Sequence, residues 1–165
     1  MTKNEKYELV ENYIVENQHV HYRLAYSYVK NKENALDIIQ ESILKALKSV
    51  EQLEEIQFMK TWIYRIIINT SLDFIKKHGR MQVMEEDALH SFLPEQRDET
   101  KNLDLYDALD ELGEPYKTIV VLRYFEDLKI EDIAEIQKEN ANTIKTRLYA
   151  GLRKLRVNME EKVEV

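Results

Sequence analysis

The chain has 165 residues with no cysteine, three glycines and two prolines. Zero Cys excludes disulfides, thiol catalysis and Cys-ligated zinc, and Gly79, Gly113 and Gly151 are too far apart for a phosphate-cradling loop or a dinucleotide turn, which need clustered glycines. With 33% charged and 44% hydrophobic residues and so few Gly and Pro, the composition is that of a folded, helical protein.

A polar, charged start (Met1 to Leu9) and the lack of any apolar run near 20 residues lead us to expect no signal peptide, no membrane span and a cytoplasmic location. The net charge of −7 argues at first against nucleic acid, but its distribution matters more than its sum. Residues 1–80 are near balance, 81–103 are strongly acidic, and 144–156 hold five basic residues and no acidic one.

In chain order, about 5–80 reads as three or four helices. Asn34 reads as the N-cap of a helix over Ala35 to Val50, in which Ile38, Ile39, Ile43, Leu44 and Leu47 form an apolar stripe. A break near Glu51 to Phe58 precedes a long helix from about Lys60 to Lys77, with Gly79 as its cap. Segment 81–103, acidic and containing Pro94, lacks a sustained stripe and reads as a linker. Helices follow near 104–112, 115–125, 129–136 and 140–160, with Gly113 ending one and Pro115 opening the next. The expected fold class is all-α: two small helical domains, 1–82 and 104–165, joined by an acidic linker over 83–103.

Segment 129–156 has the pattern of a helix-turn-helix. Ile130, Ile133, Ala134 and Ile136 make a short amphipathic helix, Gln137 to Glu139 a turn, and Asn140 or Asn142 a cap for a second helix, with Ala134 small enough for a close crossing. At about 100° per residue, Ile144, Leu148, Leu152 and Leu155 share one side, while Asn142, Thr143, Thr146, Arg147, Arg153 and Lys154 share another. The polar side suits the major groove, where Arg pairs with guanine, Asn with adenine, and cations hold phosphates. A solvated face of an ordinary packed helix is the alternative. Lys138 stands where a left-handed residue, often Gly, is expected, at a cost of about 1 kcal/mol. Glu139 stands where an apolar residue usually packs, so both leave the turn geometry open.

In the long helix, Arg65, Asn69, Asp73, Lys76 and Arg80 form a narrow polar strip among apolar positions. An amide among cations can read a base edge while the cations carry the backbone. Trp62, Tyr64 and Phe58 lie nearby, and aromatics beside a basic strip suit unstacked bases, although Trp62 also fits a core-filling role. The four histidines, His19, His21, His78 and His90, show no metal-ligand pattern and read as surface residues. No nucleophile-elbow motif occurs.

Taken together, 21–49, 61–77 and 131–155 strongly resemble the extracytoplasmic-function sigma factors of the sigma-70 family and, among them, the sigma-V type. That resemblance spans nearly the whole chain. It implies a promoter-specificity factor for RNA polymerase, without catalysis, cofactor, metal or small-molecule substrate. It implies that Asp37, Gln40 and Glu41, at i, i+3 and i+4 on one helix face, dock on the β′ clamp coiled coil of the core polymerase. Lys60, Trp62, Arg65, Asn69 and Asp73 then face the −10 element, with Lys76, Lys77 and Arg80 on phosphates. Asn142, Thr143, Lys145, Thr146, Arg147, Arg153 and Lys154 become the −35 set, and the second domain sits near the β flap. It further implies a cell-envelope stress response and a membrane-anchored anti-sigma factor. The competing readings are a stand-alone helix-turn-helix regulator, an all-helical adaptor, and a hydrolase or metal enzyme. The regulator explains 129–156 but leaves the Asp37–Glu41 patch and the 62–80 strip without a role.

Overall fold

The computed structural model describes residues 1–90 and 99–163, with side chains described for 1–78 and 105–161. Among these residues every regular element is helical, and they divide into two units, one built on Met1–Lys77 and the other on most of the remainder.

The first unit opens on a capping box. The Thr2 hydroxyl accepts from the Glu5 N–H, and the Glu5 carboxylate accepts from the Thr2 N–H, starting α1 (Lys3–Glu16). α2 (Gln18–Val29) ends on Lys30 in the left-handed region. α3 (Lys32–Lys48) is capped by Asn31, whose side-chain oxygen accepts from the Asn34 N–H at 2.9 Å. The cap is therefore Asn31 and not Asn34. The chain is still extended at Asn31 (φ −146°), and an N-cap must be the last non-helical residue. Two short 3-10 turns, Val50–Gln52 and Ile56–Phe58, fill the expected break before α4 (Met59–His90).

α4 does not stop at Gly79. A glycine inside a helix costs about 1 kcal/mol, which good helix formers such as Met81, Gln82, Met84 and Glu85 offset. Helix thus occupies part of the acidic stretch whose sequence shows no stripe; residues 91–98 lie outside the described residues.

The first core is made by Val10, Leu24, Ala25, Ile38, Ile63 and Ile67, each at most 2% exposed. Burying one such aliphatic side chain contributes roughly 1.5–3 kcal/mol. His21 is part of this core, at 2% exposure, and is not the surface residue its neighbours in sequence suggest. Its ring lies between Tyr13 (centroids 5.9 Å apart) and Tyr64 (6.0 Å, edge-on). Burial, and secondarily the charge of His19, lowers its pKa to about 4. Its Nε2 and the Ser42 hydroxyl lack hydrogen-bond partners, and both line one apolar pocket with Ile14, Ile39 and Ile63.

In the second unit, α5 (Glu99–Leu112) ends at Gly113, whose φ of +69° is the left-handed value that glycine adopts without strain. Pro115 is the N-cap of α6 (Tyr116–Val120), which runs on into a π-helical turn over Val121–Phe125. The Glu126 N–H bonds the Val121 carbonyl five residues back, which is the mark of that turn. Lys117 is buried on α6, and its ammonium donates to the Asp110 carboxylate of α5. α7 (Ile130–Gln137) and α8 (Ala141–Val163) complete the unit. Ile119, Leu122, Leu128, Ile133 and Ile144 form its core. α8 passes α6 closely at Gly151, where an added Cβ would lie 3.2 Å from Val120 Cγ2 and 3.3 Å from Tyr116 Cβ.

Candidate nucleic-acid interface

α7, the turn and α8 carry the first candidate face. Lys138 takes the left-handed conformation (φ 55°, ψ 44°), so the turn closes in spite of the missing glycine. The Glu139 N–H donates to the Ala134 carbonyl at 3.1 Å, a bond spanning five residues that satisfies a helix-end carbonyl. Glu139 is exposed, not packed as an apolar residue would be, and its carboxylate lies 3.5 Å from the Arg147 guanidinium. Of the two possible caps, Asn140 is the one used: its side-chain oxygen accepts from the Thr143 N–H at 2.8 Å.

That cap sets the rotation of α8. Ile144 and Leu148 are buried and Leu152 and Leu155 half-buried, while Asn142, Lys145, Thr146, Arg153 and Lys154 are exposed. Thr143 and Arg147 lie half-buried at the edge of the face. The Thr146 hydroxyl donates to the Asn142 carbonyl, leaving its oxygen outward as an acceptor. Lys154 lies with its ammonium 4.5 Å from the centre of the Tyr116 ring, a cation–π contact within the unit. Tyr149, absent from the sequence-derived set, is 60% exposed in the middle of the polar face. The helical spacing from Asn142 already places it there, between Thr146 and Arg153.

The second candidate face is on α4. Ile63, Tyr64, Ile67 and Ile68 hold the helix to the core. On the other side Lys60, Asn69, Asp73, Lys76 and Lys77 are exposed, and Trp62 and Arg65 are half-buried. The Arg80 side chain lies outside the described residues. Phe58, in the turn that leads into α4, is 44% exposed. Aromatic surface, an amide and cations thus share one end of the helix. From Leu72 to His78 only Leu72 and Phe74 are even half-buried, so that stretch of α4 is less enclosed than the part before it.

The third face is on α3. Asp37, Gln40 and Glu41 are all exposed there. Leu36 (43%) and Leu44 (58%) are exposed one turn to either side of Gln40. Leu44 is therefore not a core residue: Ala35, Ile38, Ser42 and Ala46 make the buried row, and Leu44 lies about 200° from Ser42 on the wheel. The small side chains Ala35 and Ser42 disguise that row in the sequence. Glu41 is paired with Lys45 at 3.4 Å, and Lys45 also donates to the Thr70 hydroxyl of α4 at 3.2 Å. Asp37 and Glu41, like charges four residues apart, repel by about 0.2–0.5 kcal/mol, and the Lys45 pair offsets this from within the chain.

Among the described residues no group of three or more His, Cys, Asp or Glu side chains is arranged to hold a metal ion, and no helix is long and apolar enough to cross a membrane.

Comparison with known proteins bears on these faces. The family model for Sigma-70 region 2 matches residues 14–81, and that for Sigma-70, region 4 matches residues 102–155. The chain is 50% identical over 138 residues to the RNA polymerase sigma factor SigV of Bacillus subtilis, covering 84% of this chain and 83% of the relative. It is 31% identical over 128 residues to the ECF RNA polymerase sigma-E factor of Haemophilus influenzae, covering 68% of each. The fold is similar to that of the sigma factor RpoE from Bartonella quintana, solved with the anti-sigma factor NepR: TM-score 0.71, 21% identity, 91% of this chain and 96% of that one covered. Both matched regions carry the faces just described, and the chain belongs to the extracytoplasmic-function sigma factors of the sigma-70 family.

Proposed function

We propose that this chain directs core RNA polymerase to a −35/−10 promoter class in the cytoplasm, with residues 1–82 and 104–165 as its two working domains and 83–103 linking them. The observation that carries this reading is the pair of outward polar faces on α4 and α8, each backed by a buried aliphatic row. The α8 face has hydroxyls, an amide and cations for the edges and phosphates of the −35 duplex. At the α4 face, half-buried Trp62 and Arg65 lie by exposed Asn69 near Phe58, a setting for unstacked −10 bases, while Lys76, Lys77 and Arg80 hold phosphates. Capturing unstacked bases favours the melted promoter. The chain makes and breaks no bond, and catalysis stays with the polymerase.

The α3 face favours a polymerase partner over a stand-alone regulator. Asp37, Gln40 and Glu41 offer charge and amide groups to a basic coiled coil on the β′ clamp, and the exposed Leu36 and Leu44 offer apolar area on both sides. The second domain would lie near the β flap. The relative from Bartonella quintana was solved with an anti-sigma factor, which supports a protein inhibitor here as well; that this inhibitor is membrane-anchored and released on envelope stress is what the sequence resemblance implies. A net charge of −7 fits a free protein that binds DNA weakly until polymerase completes a basic channel.

Run-off transcription with purified core polymerase on a genomic promoter library tests this reading. Initiation at a shared −35/−10 pair only when the protein is added is the expected result. No initiation, together with no binding to core polymerase, would transfer the assignment to a stand-alone DNA-binding regulator.

A further inference from the structure

Glu139 is a carboxylate set beside a helix built for DNA. Its place is well defined. The left-handed Lys138 and the Glu139 N–H bond to the Ala134 carbonyl fix its backbone, and it directly precedes the Asn140 cap of α8. A carboxylate is favoured near a helix N-terminus by the exposed N–H groups there. Side chains on a helix lean toward its N-terminus, so Arg147 reaches back over the first turns of α8. The two meet at 3.5 Å with side-chain exposures of 40% for Glu139 and 34% for Arg147. Arg147 is thereby a cation on the edge of the α8 face that the turn itself holds. Lys154 rests on Tyr116, and Arg156 pairs with Glu160 farther along α8 at 3.2 Å.

We propose that Glu139 is a built-in competitor for Arg147: its carboxylate holds one terminal nitrogen of the guanidinium in the DNA-free protein, and a guanine edge or a phosphate that takes the end-on fork must displace it. The inference rests on the −35 role of α8. The Glu139 carboxylate lies against Nη1, one of the two terminal nitrogens with which an arginine grips a phosphate or the O6/N7 edge of guanine end-on, so the carboxylate and the DNA group compete for that nitrogen. The pair is partly solvated, so its hold is modest and easily exchanged. Glu139 then lowers the affinity of the isolated protein for any duplex without removing a single DNA contact.

The test is a double-mutant cycle on the full chain, read by fluorescence anisotropy with a duplex carrying the −35 sequence mapped by run-off transcription. Glu139→Gln keeps the shape and removes the charge. It should tighten binding about 2- to 5-fold at low salt, and the gain should shrink as salt screens the pair. In an Arg147→Ala background the same change should give no gain. If Glu139→Gln leaves affinity unchanged or weakens it, the competition is refuted. A gain that persists without Arg147 refutes it too, since Glu139 would then merely repel phosphates. If Arg147→Ala alone leaves binding to the duplex intact, the −35 role of Arg147 fails and takes the competition with it. The run-off result stands apart from all of these.

Discussion

The candidate DNA faces on α4 and α8 differ in how closely the core supports them. On α8 the polar face has a well-packed back from Ile144 through Gly151, and its first turn is pinned by Asn140. On α4 the packed back, Ile63 through Ser71, underlies only the part that holds Trp62, Arg65 and Asn69. The part with Lys76 and Lys77 is more exposed. The difference matches what each proposed contact would require. Reading a base edge needs placement within about 0.5 Å, so it belongs where the helix is clamped. Holding a phosphate needs charge more than position, so it tolerates an unsupported helix.

Acid gives the largest break between the two units. His21 lies beneath α4, against Tyr13 and Tyr64, and among the described side chains of the second unit no histidine is buried. Its folded-state pKa of about 4 is below the ordinary value of 6.5, so folding favours the neutral ring. The stabilisation is complete above pH 6.5 and is lost as pH falls toward 4, in total roughly 3 kcal/mol. Hydrogen exchange at pH 5 should show α2 and α4 losing protection before α6 and α8, and His21→Leu should flatten that pH dependence.

Gly151→Val is the matching lesion on α8, since its side chain would strike Val120 and Tyr116. Overpacking there should cost about 2–3 kcal/mol, measured by urea unfolding. Binding to the −35 duplex should fall with it even though the polar face is untouched. Retained stability and retained binding would show that the seating of α8 does not govern its face.

Within α4, Asn69→Ala should reduce discrimination between matched and mismatched −10 elements by about tenfold, the scale of one bidentate base contact. Equal losses on both templates would remove Asn69 from readout. Lys76→Ala should have the smallest effect: a few-fold weaker binding on every sequence and a salt-dependence slope reduced by about one. A sequence-dependent loss at Lys76 would erase the contrast between the clamped and the more exposed parts of the helix.

Much of this was legible in the amino-acid pattern. The spacing of Ile144, Leu148, Leu152 and Leu155 set the inner side of α8, and Arg65, Asn69 and Asp73 marked the outer strip of α4, because 3.6-residue periodicity is local. The helix-breaking role expected of Gly79 did not hold, since one weak residue seldom stops a helix flanked by good formers. Asn31 rather than Asn34 starts α3 for a similar reason: both side chains can cap, and backbone conformation chooses.

The order of helices, their amphipathic sides and the all-α class were determined by the sequence itself, because each depends on neighbours within a turn or two. Tertiary structure alone decided which of several apolar rows became the core. It buried Ala35 and Ser42 and left Leu36 and Leu44 exposed, enclosed His21 between two tyrosines, turned Glu139 toward Arg147 and laid Lys154 on Tyr116. Burial and ion pairing are properties of distance in space, and a helical period specifies the side of a helix but not what lies opposite it.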